Sequence, residues 1–105
     1  MRVDFAVLDS LVQREFDAQQ TMDVLASEPM IVMSWGARNF SQYKSKALMF
    51  RVSGRLHKGL VCITLAWDDT YTITLLNLKF ETKQTRTDVY FDELVNDIDH
   101  MVETR

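Results

Sequence analysis

Residues 30–67 read MIVMSWGARNFSQYKSKALMFRVSGRLHKGLVCITLAW and contain no aspartate or glutamate. The stretch carries six of the twelve lysines and arginines, whereas all fifteen acidic residues lie outside it. Residues 46–53 alternate between apolar and polar side chains, which predicts a half-buried strand, and the apolar residues 60–67 predict another. This stretch therefore supplies the centre of a sheet, and its segregated charge is the main indication of function.

Further strands are predicted on either side of these two. Residues 30–35 are apolar on both faces and predict a strand that is covered on both sides or placed centrally, followed by a polar connector over residues 37–45. After a tight hairpin at residues 68–69, a fourth strand begins at residue 70. The apolar phase changes near Leu75 and Leu76, which predicts a β-bulge there. Residues 81–87 are polar and fit either a loop or a strand end.

Helical spacing marks both ends of the chain. Apolar residues recur every three or four positions over residues 4–19, with Asp4 as the N-cap, and a short second helix over residues 22–27 ends before Pro29. The clearest helix covers residues 88–103, with Asp88 as its cap and an acidic outer face. Its apolar stripe comprises Phe91, Leu94, Val95, Ile98, Met101 and Val102.

These elements predict an α+β fold in a single domain, residues 1–105. N-terminal helices lie in residues 4–27, a four-stranded antiparallel meander in residues 30–80, and an amphipathic C-terminal helix over residues 88–103 covers one face of the sheet. A chain of 105 residues that is 47% hydrophobic and 26% charged is typical of one globular domain.

Composition and net charge also limit the ligands and the cell compartment that we expect for this protein. A net charge of -3 provides no overall attraction to nucleic acid or to an anionic membrane. The single cysteine, Cys62, forms no internal disulfide and favours a reducing compartment. We find no signal peptide and no apolar run long enough to span a membrane, so the sequence predicts a cytoplasmic protein.

No motif for catalysis, a cofactor or a metal is present, and the sequence predicts a protein that is not an enzyme. Cys62 lies in the middle of a strand, where a thiol behaves as a small hydrophobic side chain. Asp97, His100 and Glu103 recur at helical spacing and could ligate a metal. A solvated acidic helix face is the commoner explanation of that pattern.

The acid-free stretch combines cations with aromatic side chains, the residue types that hold single-stranded nucleic acid. We expect Tyr43 to stack on a base, because the connector of residues 37–45 exposes it. The alternative, purely structural interpretation is that Trp35 and Phe50 belong to the core and that the lysine and arginine side chains are solvated surface. The predicted nucleic-acid contacts are Arg38, Tyr43, Lys44, Lys46, Arg51, Arg55 and Lys58.

A protein–protein module, for instance an inhibitor or regulator, is the rival hypothesis. Its binding surface would be the acidic face of the C-terminal helix or the N-terminal helix. The N-terminal helix could also act as an arm that swaps onto a second copy and forms a homodimer.

Residues 31–40 read IVMSWGARNF and resemble the F-I-x-M-T-G-A-K-N-F segment of a family of small phage and mobile-element proteins. In that family a short helix precedes the segment, and a final helix carries a tyrosine near its start, as Tyr90 does here. Ser34 replaces the threonine of the pattern and Arg38 replaces the lysine. The resemblance extends over residues 21–103 and implies a phage or mobile-element origin, but no function, since the family has none assigned.

Overall fold

The computed structural model describes residues 4–103 and shows an α+β fold. The strands pair antiparallel in chain order, from β1 to β5. The predicted antiparallel meander with helices at both ends is therefore confirmed, but the sheet has five strands instead of four. The helices are α1 (Phe5–Leu11), α2 (Ala18–Ala26), α3 (Pro29–Ser34) and α4 (Leu94–Val102). The strands are β1 (Arg38–Tyr43), β2 (Ala47–Ser53), β3 (Lys58–Leu65), β4 (Tyr71–Leu76) and β5 (Thr82–Val89).

The first predicted strand, residues 30–35, is wrong, because α3 occupies it. Pro29 was expected only to end a helix, but it stands at the first position of α3, where its missing amide costs nothing. Ile31 and Val32 are half-buried and Trp35 is fully buried, a spacing that fits one helical face. A short apolar run rich in branched residues does not distinguish a strand from a buried helix.

The predicted connector, residues 37–45, is also wrong, because most of it forms the edge strand β1. Asn39 has a φ of 59°, and the pairing of β1 with β2 shifts by one residue between Arg38 and Ser41. Phe40 and Tyr43 pack in different clusters on opposite faces, as their odd spacing requires in a regular strand. The extra residue changes the phase at the start of β1 and brings Arg38 opposite Arg51, so the strand has no single period of two along its length.

Of the polar residues 81–87, all but Glu81 belong to β5, the other edge strand, which is exposed along most of its length. The pairing of β4 with β5 shifts between Leu75 and Leu76, as predicted, but the extra residue lies on β5. Leu75 and Leu76 themselves alternate regularly between the two faces of the sheet. Bulges on both edge strands make the sheet a poorer template for pairing with other chains.

The N-terminal segment contains two helices with an extended segment between them, so the predicted continuous helix over residues 4–19 is wrong. The Asp4 side chain caps α1 as predicted and accepts hydrogen bonds from the amides of Ala6 and Val7 at 3.1 and 3.2 Å. The chain then leaves the helix at Val12, and the Asp17 side chain caps α2.

The sheet is covered on both faces. Helices α2, α3 and α4 pack on one face, around a core that contains Trp35, Phe50 and Ile98. Helix α1 packs on the other face, where Leu8 is fully buried in a second cluster with Met49 and Cys62. We call these the helical face and the α1 face.

The C-terminal helix is shorter than the predicted span of residues 88–103. A 3-10 turn at Phe91–Glu93 precedes α4, and Asp88 lies in β5 with a φ of 58° instead of capping the helix. The apolar stripe from Leu94 to Val102 is buried as predicted, whereas Phe91 is exposed. The acidic outer face is partly tied to the core, because Trp35 Nε1 donates to Asp99 Oδ1 at 2.8 Å.

Candidate nucleic-acid interface

The seven residues predicted to contact nucleic acid lie at opposite ends of the sheet. Arg38, Arg51, Arg55 and Lys58 lie where β2 ends and β3 begins, which we call the basic end. Tyr43, Lys44 and Lys46 lie at or beside the turn between β1 and β2, at the other end. Strand β2 separates the two groups by roughly 20 Å, at about 3.3 Å per residue.

Three of the four cations at the basic end share the α1 face of the sheet. Arg38 pairs directly with Arg51 across β1 and β2, and Lys58 pairs with Ser53 across β2 and β3. Arg51 and Ser53 are two residues apart and therefore point to the same face. We refer to Arg38, Arg51 and Lys58 as the cationic triad.

The positive charge of the triad has no acidic partner among residues 4–103. Arg38 Nη1 donates to Gly36 O at 2.8 Å and to Ser53 Oγ at 3.2 Å, both of which are neutral acceptors. None of the three cations forms an ion pair with an acidic residue in that range. Like charges placed directly opposite in a sheet repel, with Cβ atoms about 4.5–5.5 Å apart. An anion bound between Arg38 and Arg51 would remove that repulsion.

The loop that joins β2 to β3 is held against the end of α4. Leu56 N donates to Val102 O at 2.8 Å, and Arg55 N donates to Glu103 Oε2 at 3.0 Å. A Cβ atom on Gly54 would lie only 2.4 Å from Val102 Cγ1, so only glycine fits this approach. The loop therefore presents the exposed Arg55 from a backbone that is fixed by the helical layer, and it leads into the exposed Lys58 at the start of β3.

Tyr43 was expected to be exposed, and this prediction is wrong. It is only 8% exposed, because it ends β1 on the α1 face and packs against Phe5, with ring centroids 5.7 Å apart. Its hydroxyl donates to Asp9 Oδ1 at 2.6 Å, and Lys44 Nζ lies 3.3 Å from the same oxygen. The hydrogen bond from Tyr43, and then the charge of Lys44, lower the pKa of Asp9. Tyr43 and Lys44 thus fasten α1 to the sheet and are poorly placed to contact a ligand.

Lys46 lies beside an exposed aromatic side chain that the predicted site left out. It lines a shallow pocket with Arg14 and Trp67, and the indole of Trp67 is 73% exposed. Arg14 is engaged in an ion pair with Asp69. Trp67 was visible as the last residue of the acid-free stretch, but its exposure follows from its position in the turn between β3 and β4.

The remaining aromatic residues of the stretch support the core alternative. Trp35 and Phe50 are both fully buried, and their rings stack with centroids 6.4 Å apart. Phe40 also stacks on Phe50, with ring centroids 4.8 Å apart. The described part of the basic end therefore lacks an exposed aromatic residue, since those that are highly exposed, Phe5, Trp67, Tyr90 and Phe91, belong to other parts of the molecule.

Among residues 4–103, no group of three or more histidine, cysteine, aspartate and glutamate side chains is arranged to hold a metal ion. Asp97, one of the three residues considered as ligands, accepts from Arg86 Nη1 at 3.1 Å. Cys62 is fully buried, and burial raises the pKa of its thiol to about 12. None of the helices within that range is both long enough and apolar enough to cross a membrane.

Comparisons with protein-family models, with curated proteins and with solved structures gave no match. The resemblance of residues 31–40 to the phage and mobile-element family therefore stays a prediction.

Proposed function

We propose that this protein is a non-enzymatic binding protein for single-stranded nucleic acid and that the cationic triad holds the phosphate backbone. The observation that carries the proposal is the register of the sheet. It brings Arg38, Arg51 and Lys58 from three neighbouring strands to one face without a described acidic partner. Arg55, in the adjoining loop, adds a fourth positive charge at the same end.

The chemistry of the triad suits a phosphodiester. Each arginine presents a planar fork of N–H donors that matches two phosphate oxygens, and lysine adds a compact point charge. A guanidinium group can also stack on a base, which provides a contact where aromatic side chains are absent. The triad contains no arrangement for reading base edges, so we expect little dependence on sequence.

Two features favour a single strand over a duplex. The helical layer is acidic, with Asp23, Asp92 and Glu93 on its helices and turn, so it would repel a long rigid polyanion. A flexible strand can reach the triad while it avoids that layer. The patch is also small and includes the edge strand β1, so it can be approached from that side of the sheet.

Fluorescence anisotropy with a labelled oligothymidine over a salt series tests the proposal. Arg38→Gln, Arg51→Gln and Lys58→Gln each remove one phosphate contact, and each should reduce the slope of log affinity against log salt by about 0.7. Lys46→Gln is the matched control, because it removes the same charge at the opposite end of the sheet. A duplex of the same length, included as a second ligand, should bind more weakly.

Absence of binding at micromolar protein in low salt would contradict the proposal, since even non-specific electrostatic binding appears under those conditions. Equal losses in Lys46→Gln and in the triad variants would show that charge in general, and not the triad, attracts the strand. Circular dichroism of each variant checks that the fold is intact.

A further inference from the structure

The charges of this protein are segregated by element type. None of the four helices, nor the 3-10 turn, contains a lysine or an arginine, and all the described cations lie on strands, turns or the segment between α1 and α2. The helical layer is acidic as a result. This layer also carries the most exposed methionines of the described chain, Met30 at 81% and Met33 at 74%.

An apolar groove runs between α2, α3 and the edge strand β1. Its volume is about 250 Å³, and its walls contain no charged side chain. Met33 forms part of the rim, and Met30 is exposed on the same short helix. The groove is lined chiefly by Met22, Leu25, Pro29, Val32, Met33 and Phe40.

A second cleft, of about 400 Å³, lies on the other side of α2, between that helix and the start of α4. Val24 and Val95 supply apolar lining, and the ring of Phe91 is 67% exposed. Three carboxylates, Asp23, Glu28 and Asp92, also line it, and none forms an ion pair with a residue in 4–103. The cleft contains no lysine or arginine to neutralise them.

We propose that the apolar groove and the acidic cleft together form a docking surface for a basic amphipathic helix of a partner protein. Apolar side chains of the partner, spaced at i, i+3, i+4 and i+7, would enter the groove. Exposed methionines suit such a surface because their flexible side chains adapt to different shapes. Lysine or arginine side chains at the edge of the partner helix would meet Asp23, Glu28 and Asp92, with Phe91 as a cation–π partner.

Charge complementarity decides between this occupant and a second copy of the chain. A second copy has no helix with a lysine or an arginine within residues 4–103, so its helices would bring no positive charge to the acidic cleft. The same charge disfavours an anionic lipid surface. This proposal does not depend on nucleic-acid binding, which concerns the opposite face of the sheet.

The test uses the whole protein and a labelled helical peptide of leucine and lysine, about 18 residues long, with its leucines on one face. One control peptide has glutamate in place of every lysine, and a second has the same composition in scrambled order. Glu28→Gln and Asp92→Asn should each weaken binding of the basic peptide about two- to fivefold, as expected for one partly exposed ion pair. Met33→Ser should weaken it about tenfold.

Matched controls lie in the turn between β4 and β5, outside the residues that line the groove and the cleft. Glu81→Gln removes one acid and Leu78→Ser removes one partly exposed apolar side chain there, and both should leave the affinity unchanged. The proposal is supported if the basic peptide binds, neither control peptide binds as tightly, and the variants change the affinity as stated. Equal binding of the acidic or the scrambled peptide overturns it, because the surface would then be merely apolar or merely acidic. Absence of peptide binding, or dimerisation that Met33→Ser abolishes in analytical ultracentrifugation, also overturns it.

Discussion

At the scale of single residues, the reactivity of Cys62 measures whether α1 covers its face of the sheet. Burial raises the pKa of its thiol to about 12, so almost no thiolate is present near neutral pH. Because the thiolate is the reactive form, Cys62 should resist a thiol reagent in native buffer and react quickly after unfolding in urea. Rapid stoichiometric labelling of the native protein would show that α1 does not cover this face.

The carboxylate of Asp9 should make stability depend on pH. The Tyr43 hydroxyl and Lys44 lower its pKa in the folded state. The carboxylate therefore contributes stability above its unfolded pKa of about 3.9, and the contribution is lost as the pH falls through the folded value. Asp9→Asn should be less stable than the parent protein at pH 7, with the difference shrinking towards pH 3. Urea denaturation at several pH values measures this, and a gap that stays constant with pH would contradict the assigned hydrogen bonds.

At the scale of secondary structure, α4 is the main test of the architecture. Ile98 is fully buried between α4 and the sheet, so Ile98→Ala should lower the free energy of unfolding by about 2–5 kcal/mol. Asn96→Ala, on the exposed side of the same helix, should change it by less than about 0.5 kcal/mol. Chemical denaturation of both variants provides the comparison. A similar small change in both would mean that the stripe is not buried.

Helix α1 differs from α4 in how it is attached. It is only seven residues long and buries Leu8 completely, while Asp9 binds Tyr43 and Lys44 at its edge. A helix this short is not stable by itself, so these contacts must hold it. Beneath it, the hydroxyls of Thr64 and Thr74 are buried and have no hydrogen-bond partner among the described residues. Unsatisfied hydroxyls reduce the benefit of covering this face, so α1 should be released more easily than α4.

At the scale of the whole molecule, the two proposed surfaces lie on opposite faces of one sheet and should act independently. Arg51→Gln should weaken binding of the oligothymidine and leave binding of the basic peptide unchanged, whereas Asp92→Asn should do the reverse. Effects at sites more than about 7–10 Å apart without shared partners are usually additive, so the double variant should show both losses. Anisotropy with each labelled ligand in separate titrations provides the measurement. A loss of both activities in either single variant would indicate one shared surface or a disturbed fold.

The sequence by itself determined the elements whose apolar residues follow a regular pattern or a continuous run. The alternation in β2, the apolar run of β3 and the stripe of α4 were readable from the local sequence. The half-buried state predicted for β2 is wrong, because Ala47–Phe50 are buried on both faces of the sheet and α1 covers the second face. The acid-free stretch was equally visible, and with it the separation of charge. The predicted class, an antiparallel meander with a helix covering one face, followed from these elements.

Tertiary structure decided the edges of the sheet and the shape of the candidate site. Strands β1 and β5 are exposed and bulged, so their sequences carry no period, and α3 is a short apolar run whose form depends on its neighbours. The cationic triad exists only because Arg38 pairs with Arg51 and Lys58 with Ser53. Tyr43, by contrast, is buried by a helix more than thirty positions earlier in the chain. Local patterns encode which face of an element is apolar, but contacts between distant residues depend on packing that no local pattern contains.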